Sequence, residues 1–179
     1  MKKGLSCCLV WVFSIFGLAG CTHPIVPELV VFKANQLPIV KTEHSVSVKT
    51  LQTPTPKQFI VHSHGVHKYV VRTDDMNSRA RTSLEDMLRK SNVALTDNAL
   101  KKLEVAVVSA DCPVRGFVVG VVNCTLKIQA RAGENAIREF TGEDVSASFE
   151  VSISEAINNA LEDMLKDKEF LMYLAEENS

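Results

Sequence analysis

The chain has 179 residues, 46% hydrophobic and 23% charged, with a formal net charge of −1. That length holds one globular domain or two very small ones, and the apolar share is too high for a disordered chain. The near-neutral balance lacks the basic face that nucleic acid requires, and 6% aromatic content is thin for a base-stacking platform.

Met1-Lys2-Lys3 is a short positive start, followed over residues 5–18 by the uncharged run LSCCLVWVFSIFGL. The run is about 14 residues long, short of the roughly 20 that a membrane-spanning helix needs. A positive start, a short apolar run and small residues after it form the pattern of a secretory signal, expected over residues 1–20. The run closes on Leu18-Ala19-Gly20-Cys21, which resembles the lipobox of bacterial lipoproteins. The resemblance implies that the Cys21 thiol receives a diacylglyceryl group, that the chain is cut before Cys21, and that the new amine is acylated, typically with palmitate. Each buried CH₂ contributes about 0.8 kcal/mol, so two or three acyl chains make a stable anchor. Thr22 rather than Asp follows the Cys, and by the same resemblance this implies the outer membrane, facing the periplasm. Removing Lys2 and Lys3 leaves a mildly acidic chain, so lipid rather than a basic patch would do the anchoring.

Cys7 and Cys8 would leave with the signal and Cys21 would be acylated, which leaves Cys112 and Cys124. In an oxidising compartment a leftover pair reads as a structural disulfide, with two reduced buried thiols as the rival. The spacing is not that of a Cys-x-x-Cys redox motif.

The mature chain then reads in order. Residues 22–28, with Pro24 and Pro27, suggest a short tether, and Leu29-Val30-Val31-Phe32 a short strand. Residues 35–43 are polar and read as a connection. Val46, Val48 and Leu51 alternate with polar residues as in a half-buried strand, which Pro54 and Pro56 terminate. Residues 59–64 and 66–72 around Gly65 predict a hairpin or a bulged strand. Asp74 and Asp75 offer a helix start, and Ala80, Leu84, Met87 and Leu88 form its apolar stripe up to Ser91-Asn92. Leu103, Val105 and Val107 predict a strand, as do Leu126, Ile128 and Ala130, with a turn at Ala132-Gly133-Glu134-Asn135. Ile137, Phe140, Val145, Phe149 and Val151 read as a third extended stretch interrupted near Gly142. Ser152-x-x-Glu155 is a capping-box pattern before an amphipathic helix marked by Ile153, Ala156, Ile157, Ala160, Leu161, Met164 and Leu165. Phe170, Leu171 and Leu174 continue the apolar face after a kink near Lys166-Asp167.

The expected class is therefore α+β: a mostly antiparallel sheet with two amphipathic helices packed on one face. The expected division is a lipoprotein signal peptide at 1–20, a lipidated Cys, tether and first short strand at 21–44, and a single domain at 45–179.

The lipobox, the stretch Arg79-Ala80-Arg81-Thr82-Ser83-Leu84-Glu85-Asp86-Met87-Leu88, the turn at Gly133 and Ile157-Asn158-Asn159-Ala160-Leu161-Glu162-Asp163-Met164-Leu165 occur in this order. Together they resemble the YajG-like family of outer-membrane lipoproteins, over about residues 46–174. The resemblance implies a single α/β lipoprotein domain, brings no catalytic residues, and says nothing of the Cys112–Cys124 pair.

Four features compete for chemistry. His62-Ser63-His64-Gly65-Val66-His67 could offer imidazoles to Zn²⁺ or Cu²⁺, but no Cys or carboxylate clusters beside it, so His62, His64 and His67 are weak metal candidates and no metal or other cofactor is expected. Phe117, Val118 and Val119 lie between the two Cys, as either a continuing core strand or a candidate partner-binding loop. Asp74-Asp75 and Glu143-Asp144 fit helix caps or solvated faces better than acid–base catalysis. Neither a Gly-x-Ser-x-Gly elbow nor a Gly-rich phosphate loop occurs. The expectation is a non-enzymatic scaffold or accessory subunit in envelope assembly or maintenance. Its partners would be the outer membrane, through acyl chains on Cys21, and an unidentified envelope protein, with no nucleic acid. The alternative is a lipid- or amphiphile-binding accessory of an envelope transport system, which requires an apolar cavity between sheet and helices.

Overall fold

The structure, a computed structural model, describes residues 20–28, 30, 42, 44–115 and 120–175. The expectations for the signal segment, for the strand at Leu29 to Phe32, for most of the 35–43 connection and for Phe117, Val118 and Val119 lie outside the described residues.

Among the described residues, eight strands form two sheets that share one core with three helices. β1 (Thr22–Ile25), β3 (Gln58–His64) and β4 (His67–Arg72) make a three-stranded sheet in the order β1-β4-β3. The second sheet joins β2 (Val46–Thr50), β5 (Lys101–Asp111), β7 (Val121–Ala132) and the short β6 (Val114–Arg115), with β8 (Arg138–Ser146) also on β7. The pairings β1–β4 and β2–β5 are parallel and the other strand pairs antiparallel. The Cys112 N–H donates to the Val61 carbonyl at 2.7 Å and ties the end of β5 to β3. The fold class expected from the pattern is the one observed, with a second small sheet and a third helix added.

β7 shows why the larger sheet has one wet and one dry face. Val122, Cys124, Leu126, Ile128, Ala130 and Ala132 are buried in strict alternation, the period of a strand solvated on one side. The intervening residues carry polar groups outward, where Arg131 pairs with Glu104 directly across the ladder at 2.5 Å and Lys127 with Glu139 at 2.8 Å.

α1 (Thr73–Lys90) is longer than its apolar stripe indicates, because Thr73 and Met76 extend the buried face toward the N-terminus. Asp74 and Asp75 do occupy the first turn, where they favour the helix dipole. Arg72 is the N-cap and makes no side-chain capping bond. The helix stops at Ser91-Asn92, with Asn92 in the left-handed region at φ 61°, a conformation that Asn tolerates at helix ends. β2 ends opposite Val105, so the next inward N–H of β5, on Val107, lacks a strand partner; Asn77 of α1 accepts it at 2.8 Å.

The C-terminal half corrects three expectations. The extended stretch ends with β8 at Ser146, and Phe149 and Val151 belong to α2 (Phe149–Lys166). The cap is Ser148, whose side chain accepts from the Val151 N–H at 3.3 Å. Ser152 sits inside the first turn and donates to the Asp144 carbonyl at 2.9 Å, stitching α2 to β8. Gly142 does not interrupt β8. It lies under α2, and a Cβ there would meet the Ala156 carbonyl oxygen at 1.9 Å. The kink near Lys166-Asp167 is a true helix end, followed by α3 (Lys168–Ala175). The buried Lys101 ammonium donates to the carbonyls of Tyr173 and Leu174 at 2.9 and 2.8 Å, serving the free carbonyls of α3.

α1 and α2 lie on the dry face, α1 over β2 and β5 and α2 over β7 and β8. Fully buried Ile153, Ile157, Leu161 and Met164 of α2 share the core cluster with Leu126 and Ile128 of β7. Each such side chain contributes about 1.5–3 kcal/mol. Because the contact at Gly142 is with helix backbone, a methyl cannot be accommodated by a side-chain shift. Gly142→Ala is expected to lose at least about 1–3 kcal/mol, the usual cost of overpacking, read as a lower urea midpoint with an unchanged m-value.

Candidate functional site

The residues that carry candidate chemistry gather at the end where the described chain starts. Cys21 is exposed and is the free cysteine among the described residues. No tether follows it. Its carbonyl accepts from the Lys68 N–H at 2.9 Å, and β1 starts at the next residue with Thr22 opposite Lys68. Over residues 22–25 a strand thus stands where the tether was expected to run through residues 22–28. Two prolines argue against a central strand, but β1 is the sheet edge, where Pro24 needs no inward N–H. Gly20 lies against the hairpin turn, and a Cβ on it would meet the Val66 carbonyl oxygen at 2.7 Å.

After β1 the chain crosses the helix pair. Ser154 of α2 donates to the Glu28 carbonyl at 2.7 Å, and Arg79 of α1 to the Val30 carbonyl at 3.1 Å. Arg79 is buried, and desolvation pushes its guanidinium below the ordinary value against the opposing pull of Asp86 and Glu155. Its Nε has no hydrogen-bond partner among the described residues.

The histidine run splits between two neighbourhoods. β3 carries a register shift between Ile60 and His62, so Val61 stays in the core while His62 pairs with Tyr69. His62 then meets the rings of Tyr69 and Phe149, at centroid distances of 5.7 and 5.9 Å. His67 instead faces His23 of β1, with Nδ1 and Nε2 separated by 2.9 Å, so one ring donates and the other accepts. His23 stacks on Tyr69 at 4.9 Å, and Tyr69 on Phe149 at 4.9 Å. His64 is exposed in the hairpin beside its turn. The structure therefore does not bring His62, His64 and His67 to one point. Among the described residues no group of three or more His, Cys, Asp or Glu could hold a metal ion. What forms is a half-exposed file of five rings: His67, His23, Tyr69, Phe149 and His62. The expectation missed His23 and Phe149, because a four-residue edge strand offers no readable alternation and Phe149 looked extended.

Cys112 and Cys124 form a disulfide, with Cα atoms 4.0 Å apart. They sit one step beyond the pair Asp111–Thr125 of the β5–β7 ladder. The bridge closes the base of the β6–β7 hairpin, whose flanks Val114 and Val121 are 38% and 36% exposed. Phe117, Val118 and Val119 lie in its connection, outside the described residues.

The paired acids lie in the first turn of α1 and on β8. Asp74 is exposed beside Arg72, 3.5 Å away. Asp144 has one buried oxygen without a partner among the described residues, and its backbone carbonyl accepts from Ser152. Along the surface, a cleft of about 560 Å³ runs beside residues 50–58 and the start of α1, lined mainly by Thr, Gln, Lys and Arg side chains. Among the described residues no helix is long and apolar enough to cross a membrane.

No family model matches this chain, and no curated protein does. Among solved structures, the chain is similar to protein XCC0632 from Xanthomonas campestris, described as a DUF330 protein. The identity is 16% and the TM-score 0.46, over 84% of this chain and 91% of that one.

Removing the disulfide with Cys112→Ala and Cys124→Ala together is expected to cost about 2–4 kcal/mol. Urea unfolding of oxidised, reduced and variant protein checks this: the reduced form and the variant share one lowered midpoint.

Proposed function

We propose that this chain is a lipid-anchored, periplasm-facing lipoprotein of the outer membrane, acylated on Cys21 and non-enzymatic. It holds a folded protein surface close to the bilayer as a scaffold or accessory subunit in envelope assembly or maintenance, in the manner of the YajG-like lipoproteins it resembles. The observation that carries the reading is the position of Cys21. It closes the Leu-Ala-Gly-Cys pattern after a short apolar run, and it is exposed directly before β1. A disulfide at Cys112–Cys124 fits an oxidising compartment.

Tethering concentrates the domain near its partners, so that weak contacts suffice. The alternative of amphiphile handling asks for space between the sheet and the helices. That space holds fully buried Leu126, Ile128, Ile153, Ile157 and Leu161, so an acyl chain could enter only by displacing them.

Cells fed a clickable palmitate analogue are expected to label the native chain and leave Cys21→Ser unlabelled. The variant is also expected to keep its signal segment and run larger on a gel. Equal labelling of both proteins, or none of either, overturns the anchoring.

A further inference from the structure

Resting on the anchoring at Cys21, we propose that the tip of the β3–β4 hairpin is a second contact with the bilayer that carries the acyl chains. It seats Val66 at the boundary between headgroups and acyl chains and sets Lys68, His64 and His67 against headgroup phosphates.

Three observations converge on this. The first is reach. Cys21 is bonded through its carbonyl to the Lys68 N–H, and Thr22 is already in the ladder. One residue of extended chain spans at most about 3.6 Å, so acyl chains on the Cys21 sulfur leave the protein beside the hairpin tip. A membrane that holds these chains therefore meets residues 64–68.

The second is chemistry. The turn exposes Val66 to 59%. Residues 60–71 contain His62, His64, His67 and Lys68 and no carboxylate, while Arg72, at the far end of β4, pairs with Asp74. An apolar tip rimmed by cationic and titratable groups suits an anionic phospholipid surface. This local rim runs against the acidic balance expected of the mature chain.

The third is the file of rings behind the tip. Tyr69, half-buried between His23 and Phe149, presents an amphipathic ring just inside the hairpin. Aromatic rings with polar edges settle at headgroup depth. With two points fixed, the anchor and the tip, the domain stands at a set angle on the membrane instead of swinging.

The test uses the full chain, acylated in cells, purified and reconstituted in vesicles of phosphatidylethanolamine and phosphatidylglycerol. With Cys21 acylated and Cys112–Cys124 bridged, a cysteine introduced by Val66→Cys is the one free thiol and takes an environment-sensitive fluorophore. Leu100→Cys, at a site 80% exposed, is the distant control. The length of β5, about 35 Å at the usual rise per residue, separates Leu100 from Cys112, which is bonded to Val61 in the middle of β3. The label at 66 is expected to shift to the blue and lose intensity with nitroxide lipids labelled near the headgroup, while the label at 100 does neither. Adding Lys68→Glu to the labelled Val66→Cys protein is expected to weaken that quenching. Acylated, vesicle-bound protein in which the two labels behave alike overturns the hairpin contact and leaves the anchoring standing. Quenching indifferent to Lys68→Glu removes the headgroup role of the cationic rim. Protein without acyl mass on Cys21 overturns the hairpin contact and the anchoring together.

Discussion

α2 lying on the alternating apolar face of β7 and β8 is the contact from which the other placements follow. β7 buries every second side chain from Val122 to Ala132 and pairs with β5, β6 and β8, so three strands take their register from it. Where α2 crosses β8 the approach is close enough that Gly142 has room for a hydrogen and nothing larger. The turn of Ser146 to Ser148, the cap at Ser148 and the bond from Ser152 back to Asp144 all serve to bring the helix down at this angle. With α2 seated, Phe149 projects toward Tyr69 and His62, so the small sheet is joined to the large one through rings as well as through the backbone bond at Val61.

How far the sequence revealed this depends on how many residues carry each signal. β7 and α2 are long and periodic: Leu126, Ile128 and Ala130 were legible in the middle of β7 and Ile153 to Leu165 in α2, while Val122 and Ala132 at the two ends of β7 were assigned to its flanks. α1 was legible from Ala80 onward, whereas Thr73 and Met76 were not, because a polar first turn hides a buried face. Phe149 was misread for a physical reason: β-branched and aromatic residues on both sides of a three-residue turn blur a strand into a helix. Ser152 and Glu155 matched a capping box, yet the chain turns one helical turn earlier, at a serine with no acidic partner at the matching place. Gly142 looked like a break in a strand, since the sequence does not show a helix lying across it.

The candidate site was legible in part. Cys21 and the Cys112–Cys124 pair could be singled out from neighbours and compartment. The partner of His67 could not, because His23 lies 44 residues away and meets it through a parallel pairing that leaves no local trace. The bulge at Val61 also escaped notice, and it is what sends His62 to the rings and keeps His62, His64 and His67 from converging. A run of histidines is thus a statement about composition until the register of its strand is known.

The parallel seating of β1 on β4 has a mechanical meaning. In a protein with a slack leader, a tug on the attachment residue first straightens the leader and reaches the domain late and softly. Here a tug on Cys21 along β1 loads the bonds of a strand pair side by side, in shear, so that they resist together. Load travels through β4 into β3 and, by way of Val61 and Cys112, toward the bridged end of the large sheet. Held at Cys21 as proposed, the domain would take load through the β1–β4 pair itself rather than through a string.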